Sequence, residues 1–224
     1  MTPSSSLVQA FCDHPVGLCG QHEPARIVDQ IPAIEARLSL LAFGIVVDAA
    51  QANADRWSAL AEVHEHWLFD PSQAAYKTSP QIQEGLQSLR LKIPKHIARV
   101  WWQISRGVQG RTKGSWLALF DANQRNALQL QKYLHDSQTT FPVLSGPVLS
   151  VRWLDLVHRV GGVELTGWES LRVPLTKELE TEAQLFEVSE KEVHPVFVCA
   201  LQVWKQACQK GKDIACGLTD CPRN

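Results

Sequence analysis

No apolar run in this chain of 224 residues reaches the roughly 18–20 residues that span a membrane; the longest, Leu38 to Val47, has ten. That run reads as a buried helical stretch, and no membrane partner is expected. The N-terminus, MTPSSSLVQA, shows no basic start ahead of an apolar stretch. No secretory signal is therefore expected, and the expected compartment is the cytoplasm. There is no Gly-Lys-Ser/Thr phosphate loop, no dinucleotide glycine fingerprint and no Gly-x-Ser-x-Gly elbow. Internal repeats and low-complexity linkers are missing too. Cys12, His14, Cys19 and His22 match no strong zinc template. Cys208, Cys216 and Cys221 lack the spacing of a four-cysteine cluster. His64 and His66, two apart on an expected helix, point away from each other. The six cysteines are thus read as free thiols in a reducing compartment, and neither metal nor cofactor is expected.

One residue class is missing locally. The chain is 45% hydrophobic and 20% charged, a globular composition, with a net charge of −1. That total argues against a nucleic-acid partner, since phosphates are neutralised by Lys and Arg. By segment, residues 1–84 carry four basic and ten acidic residues, and residues 121–224 carry eleven and thirteen. Residues 85–120 hold seven basic residues (Arg90, Lys92, Lys95, Arg99, Arg106, Arg111, Lys113) and no carboxylate. Trp101, Trp102 and Trp116 lie in the same stretch. Basic residues interleaved with aromatics suit phosphate contact and base stacking. A solvated positive face over an aromatic core fits the same pattern equally well.

Period-two alternation is also lacking, so strands should be few and the fold all-α. Residues 1–30, with Pro3, Pro15 and Pro24, read as irregular, and residues 31–224 as a single helical domain. Pro32 is expected at the first position of a helix running through residues 34–50. Trp57, Leu60, Ala61, His64 and Trp67 recur at helical spacing. Ser79-Pro80 reads as a helix cap and first residue. Lys92-Ile-Pro94 opens a helix with Ile97, Trp101 and Ile104 on one face. Further helices are expected over 114–121, 123–135, 148–160, 177–187 and 194–209.

Between the helices expected over 123–135 and 148–160, FPVLSGPVLS (141–150) forms a turn with Pro142, Ser145, Gly146 and Pro147. It feeds a helix that Gly161-Gly162 should stop. The whole hairpin covers about residues 136–161. The free N–H groups of the second helix's first turn, with its positive dipole end, make a site that suits DNA phosphate. The same pattern also fits a plain helix–turn–helix connection in a bundle.

Residues 95–180, and most closely 133–175, resemble the helix-hairpin-helix region of the 8-oxoguanine DNA glycosylase superfamily. The matching positions are Leu144, Gly146, Ser150 and Trp153, then Gly162, Leu165 and Val173-Pro174. The resemblance implies a two-lobed helical bundle with a cleft. It also implies a monomer that flips a modified or damaged base out of double-stranded DNA and excises it. Repair, or defence against phage DNA with modified bases, would be the setting. Val148 stands where bifunctional members place their Schiff-base lysine, and no aspartate follows Pro174 at the family's spacing. Hydrolysis without strand cleavage is therefore expected, leaving an abasic site. The alternative is a helix-hairpin-helix DNA-binding protein without the chemistry.

Excision needs a carboxylate to stabilise an oxocarbenium-like state and orient water. Glu178, just after Val173-Pro174, is the leading candidate and Asp155 the second; Lys177 would serve a lyase step. The acidic run from Glu178 to Glu192 also reads as a solvated helix face, and Asp155 as an ion-pair partner of Arg152 or Arg159. DNA contact is expected from Ser145, Gly146, Val148 and Ser150 in the hairpin and from Arg106, Arg111 and Lys113. The base pocket is expected from Trp102, Gln103, Gln109 and Trp116, although each tryptophan is also a natural core residue.

Overall fold

The computed structural model describes residues 28, 30–49, 60, 63–89, 93–198, 200, 201 and 204. The cysteines outside this set, and the readings placed on residues 1–27, lie outside the described residues. Contacts divide the chain into two units, one of residues 23–168 and one of residues 1–22 with 169–224. Both are mostly helical among the described residues, and no helix there is long and apolar enough to cross a membrane.

In the larger unit, helix α1 (Ile34–Asp48) carries the long apolar run, and Leu38 to Val47 are buried on every side. A helix apolar all round needs partners all round. α1 packs against α4 (Lys95–Thr112), α5 (Trp116–Ala122), α7 (Pro147–Arg159) and the short 3-10 helix Trp67–Phe69. Phe43 meets Phe69 and Trp101 edge to face, at centroid distances of 5.2 and 5.0 Å. The Trp101 indole N–H donates to the Leu68 carbonyl at 2.7 Å, which satisfies its one polar atom inside the core.

Several expected starts shift, among them that of the helix expected over 123–135, which begins at Ala127. α1 begins at Ile34, so Pro32 precedes the helix rather than opening it. Thr78, not Ser79, caps α3 (Ser79–Ser88), sharing a capping box with Gln81 and leaving Pro80 in the second position. The helix expected through Trp67 is absent over 63–66, which form a turn and a bend leading into the 3-10 helix. There Asp70 accepts from Ser72 N–H at 2.8 Å and caps the single-turn α2 (Pro71–Ala74). Local capping chemistry overrides the spacing of apolar residues at this point.

α4 carries the acid-free block. Ile97, Ala98, Trp101, Ile104 and Val108 form its buried face, and Lys95, Arg99, Arg106 and Arg111 are exposed. It ends where Lys113 turns left-handed (φ 54°) ahead of Gly114 (φ 88°). α6 (Ala127–Asp136) and α7 form the expected hairpin and pack on each other. Beyond α7, Val160 and Gly161 close the helix on the carbonyls of Leu156 and Val157. Gly162 (φ 80°) then turns the chain, as the double glycine suggests.

The smaller unit, as described, is built on a two-stranded antiparallel ladder. β1 (Val173–Pro174) pairs with β2 (Glu192–Val193), and α8 (Lys177–Gln184) lies between them in sequence. Phe186 packs edge to face on Trp204, with centroids 4.9 Å apart.

Candidate nucleic-acid interface

An α-helix sets residues three and four apart on one stripe. On α4 that stripe is Gln103, Gly107 and Gly110, flanked by Trp102 with Arg106 on one side and Arg111 on the other. These residues and Thr139 and Thr140, from the α6–α7 connection, line a groove of about 410 Å³. Gly107 is required by close approach: a Cβ there would sit 2.4 Å from Thr140 Cγ2. At Gly110 a Cβ would meet nothing within 4 Å, so the floor of the groove is open.

Both guanidiniums are held by rings. Arg106 lies over Trp102, 4.9 Å from its centroid, and Arg111 over Tyr133 at 5.4 Å. The Trp102 ring is fixed in turn, because its indole N–H donates to the Lys77 carbonyl at 2.7 Å. Residues 95–113 thus present a positive surface on which two of the cations, Arg106 and Arg111, lie over aromatic rings.

The α6–α7 connection that lines this groove also sets the start of α7. Phe141 and Leu144 anchor it in the core, and Ser145 N–H donates to Phe141 O at 3.0 Å. Val143 adopts φ 73°, a strained conformation for a β-branched residue. Gly146, the N-cap of α7, offers no side chain, and Pro147 no N–H. Ser150 N–H is taken by Gly146 O at 2.8 Å. The N–H groups of Val148 and Leu149 have no partner among the described residues, and Val148 is exposed. The start of α7 is thus uncapped, with no side-chain cap hydrogen bond.

Other candidate residues are placed differently. Trp116 is fully buried, 5.3 Å from Trp153 between centroids, and belongs to the core rather than to a base-facing wall. The Ser150 hydroxyl is also buried and turns back to Pro147 O. Gln109 lies outside the groove, donating to the Tyr76 hydroxyl at 3.1 Å. Lys113 is exposed at the end of α4, where it borders a second cleft.

Asp155 is 1% exposed. One of its oxygens accepts from Arg159 Nε at 2.9 Å and from the Trp168 indole at 3.2 Å, and the other accepts from the Arg159 Nη2. It pairs with Arg159, while Arg152 is exposed. His158 stacks on Trp168 at 4.5 Å and accepts from Leu165 N–H at 3.1 Å, so one cluster fixes the chain after α7. Glu178 and Lys177 lie in the other unit, exposed on the first turn of α8. Of the acidic run, Glu180, Glu187, Glu190 and Glu192 are likewise exposed, whereas Glu182 is buried.

The second cleft, of about 440 Å³, went unread in the sequence. Glu35, His66, Asp70, Ser72, Lys113 and Ser115 contribute to it. Glu35 reaches across to α5, accepting from Ser115 Oγ at 2.6 Å, Trp116 N at 2.7 Å and Leu117 N at 3.2 Å. Burial pulls the His66 imidazole below its usual range. Burial pushes Asp70 up, but hydrogen bonds from Ser72 and Gln73 outweigh it and hold the carboxyl below its ordinary value. The local cap signal, Asp-Pro-Ser, was available; the Glu35 link had none. No group of three His, Cys, Asp or Glu able to hold a metal occurs among the described residues.

Compared with known protein families, curated proteins and solved structures, the chain matches none.

Proposed function

We propose that this protein binds DNA through the α4 groove and the uncapped start of α7, and excises a modified base by N-glycosidic hydrolysis. The observation that carries the DNA reading is the shared connection: its Thr139 and Thr140 line the basic, aromatic groove, and further on it delivers Gly146 to the α7 N-terminus. Phosphate contact from Arg106, Arg111 and Lys113 would position the strand, with Ser145, Gly146 and Val148 at the helix start. Trp102 and Gln103 would meet the base. The glycosylase part of the reading rests on the sequence resemblance. In it Glu178 is the carboxylate that stabilises the oxocarbenium-like state. Val148, in the lysine position, favours hydrolysis over a lyase step. The protein would act as a monomer, without cofactor, in the cytoplasm, in repair or in defence against phage DNA.

One observation favours the second reading, a DNA-binding protein without chemistry: both Asp155 oxygens are already engaged by Arg159, and one by Trp168 as well. The two readings separate in one experiment. DNAs carrying deaminated, oxidised, alkylated and phage-type modified bases are incubated with the protein, and released bases are identified by mass spectrometry. The enzyme releases free base and leaves alkali-labile sites, and Glu178→Gln abolishes release while sparing binding. A binder shifts DNA with steep salt dependence and releases nothing. Absence of any DNA affinity at low salt would sink both.

A further inference from the structure

We infer that the α4 groove takes an unpaired strand, so that the ligand class at this site is single-stranded or locally opened DNA rather than intact duplex. The inference rests on the DNA-binding reading above and narrows it.

Its basis is what the groove displays. In a duplex, base faces are covered by their neighbours, and only edges and phosphates meet a protein. Point charges on flexible stems suffice for that surface. Here two of the charges are held over rings. Arg106 lies on Trp102, whose ring is pinned through Lys77 O, and Arg111 lies on Tyr133. A guanidinium stacked on a ring has its other face free for a base plane, and such stacking needs bases already out of the helix. The floor between the two rings is made of glycine: Gly107 is closed by Thr140, and Gly110 is open. Gln103 supplies the amide at that floor, suited to hydrogen bonding a base edge. A strand of single bases fits between such walls; a paired, stacked duplex meets only their rims. The absence of any carboxylate from residue 85 to residue 120 leaves nothing along α4 to repel the backbone.

Gly110 gives a test that spares the fold, because a side chain there enters open space on a helix of ordinary backbone geometry. The experiment is fluorescence anisotropy of the full chain at low salt, with a labelled oligothymidylate and a hairpin duplex of equal phosphate number. Wild type, Gly110→Glu, Gly110→Ala and Trp102→Ala are compared. The single strand should bind about tenfold or more tighter than the duplex. Gly110→Glu and Trp102→Ala should each weaken it about tenfold, Gly110→Glu more than Gly110→Ala. Duplex binding equal to or tighter than single-strand binding overturns the inference while leaving DNA binding intact. Single-strand preference untouched by Gly110→Glu places it elsewhere and overturns it too. Affinity for neither DNA removes the underlying reading as well.

Discussion

Asp155 and Arg159 stand one helical turn apart on α7, with the carboxylate 1% exposed and the guanidinium side chain 22% exposed. A buried pair is weak evidence of net stabilisation, yet removing one member leaves the other uncompensated. Asp155→Ala should therefore lower unfolding free energy by about 3 kcal/mol, read from urea denaturation. The same change frees the Trp168 indole and loosens its stack on His158. A loss of base release in Asp155→Ala without that loss of stability would restore Asp155 to the catalytic candidates. Asp155 is a residue whose i+4 spacing to Arg159 was plain in the sequence; that it is sealed beneath Trp168 depended on the turn at Gly162, which spacing does not encode.

On α4 two glycines three residues apart have opposite surroundings, and the helix should report the difference. Alanine is favoured over glycine inside a helix by about 1 kcal/mol. Gly110→Ala should gain 0.5–1 kcal/mol, about the propensity difference. Gly107→Ala gains the same propensity but forces a methyl to within 2.4 Å of Thr140 Cγ2. Overpacking of that kind costs about 1–3 kcal/mol, leaving a net loss near ~1 kcal/mol. Thermal denaturation of both variants checks the pair; equal shifts would contradict the groove floor. The buried face of α4, its start after Pro94, the Pro147 opening of α7 and the stop at Gly161-Gly162 were all readable from the sequence. These are local signals, carried by proline, glycine and apolar spacing. The stretch from His64 to Ala74 was not, because its apolar residues keep helical spacing while His66 and Asp70 cap separate short pieces. The sequence likewise exposed the tryptophan-rich basic block, but Trp101 and Trp116 went inward and only Trp102 stayed at the groove. Neighbouring tryptophans on a helix are about 100° apart, so one of each such pair must take the core.

At the scale of the whole chain, charge is sorted by segment while the total stays near zero. In the proposed DNA-binding reading, the acidic flanks around residues 85–120 should keep non-specific association low and leave binding to the α4 surface. The larger unit is held by contacts between residues far apart in sequence. Glu35 is the extreme case: its carboxylate bonds Ser115 across 80 residues and serves the first N–H groups of α5. Contacts of that span close large loops, and their reward comes only after the chain entropy has been lost. In kinetic terms Glu35 belongs to the late events. Glu35→Gln should leave the refolding rate nearly unchanged and place most of its effect on unfolding, a φ-value close to zero. A stopped-flow chevron with a slowed refolding limb would instead put the α1–α5 clasp in the nucleus. If the clasp forms last, it is also the first part of the native state to let go. The half-life of the folded protein would then be set at one carboxylate that is not part of the groove proposed to take DNA.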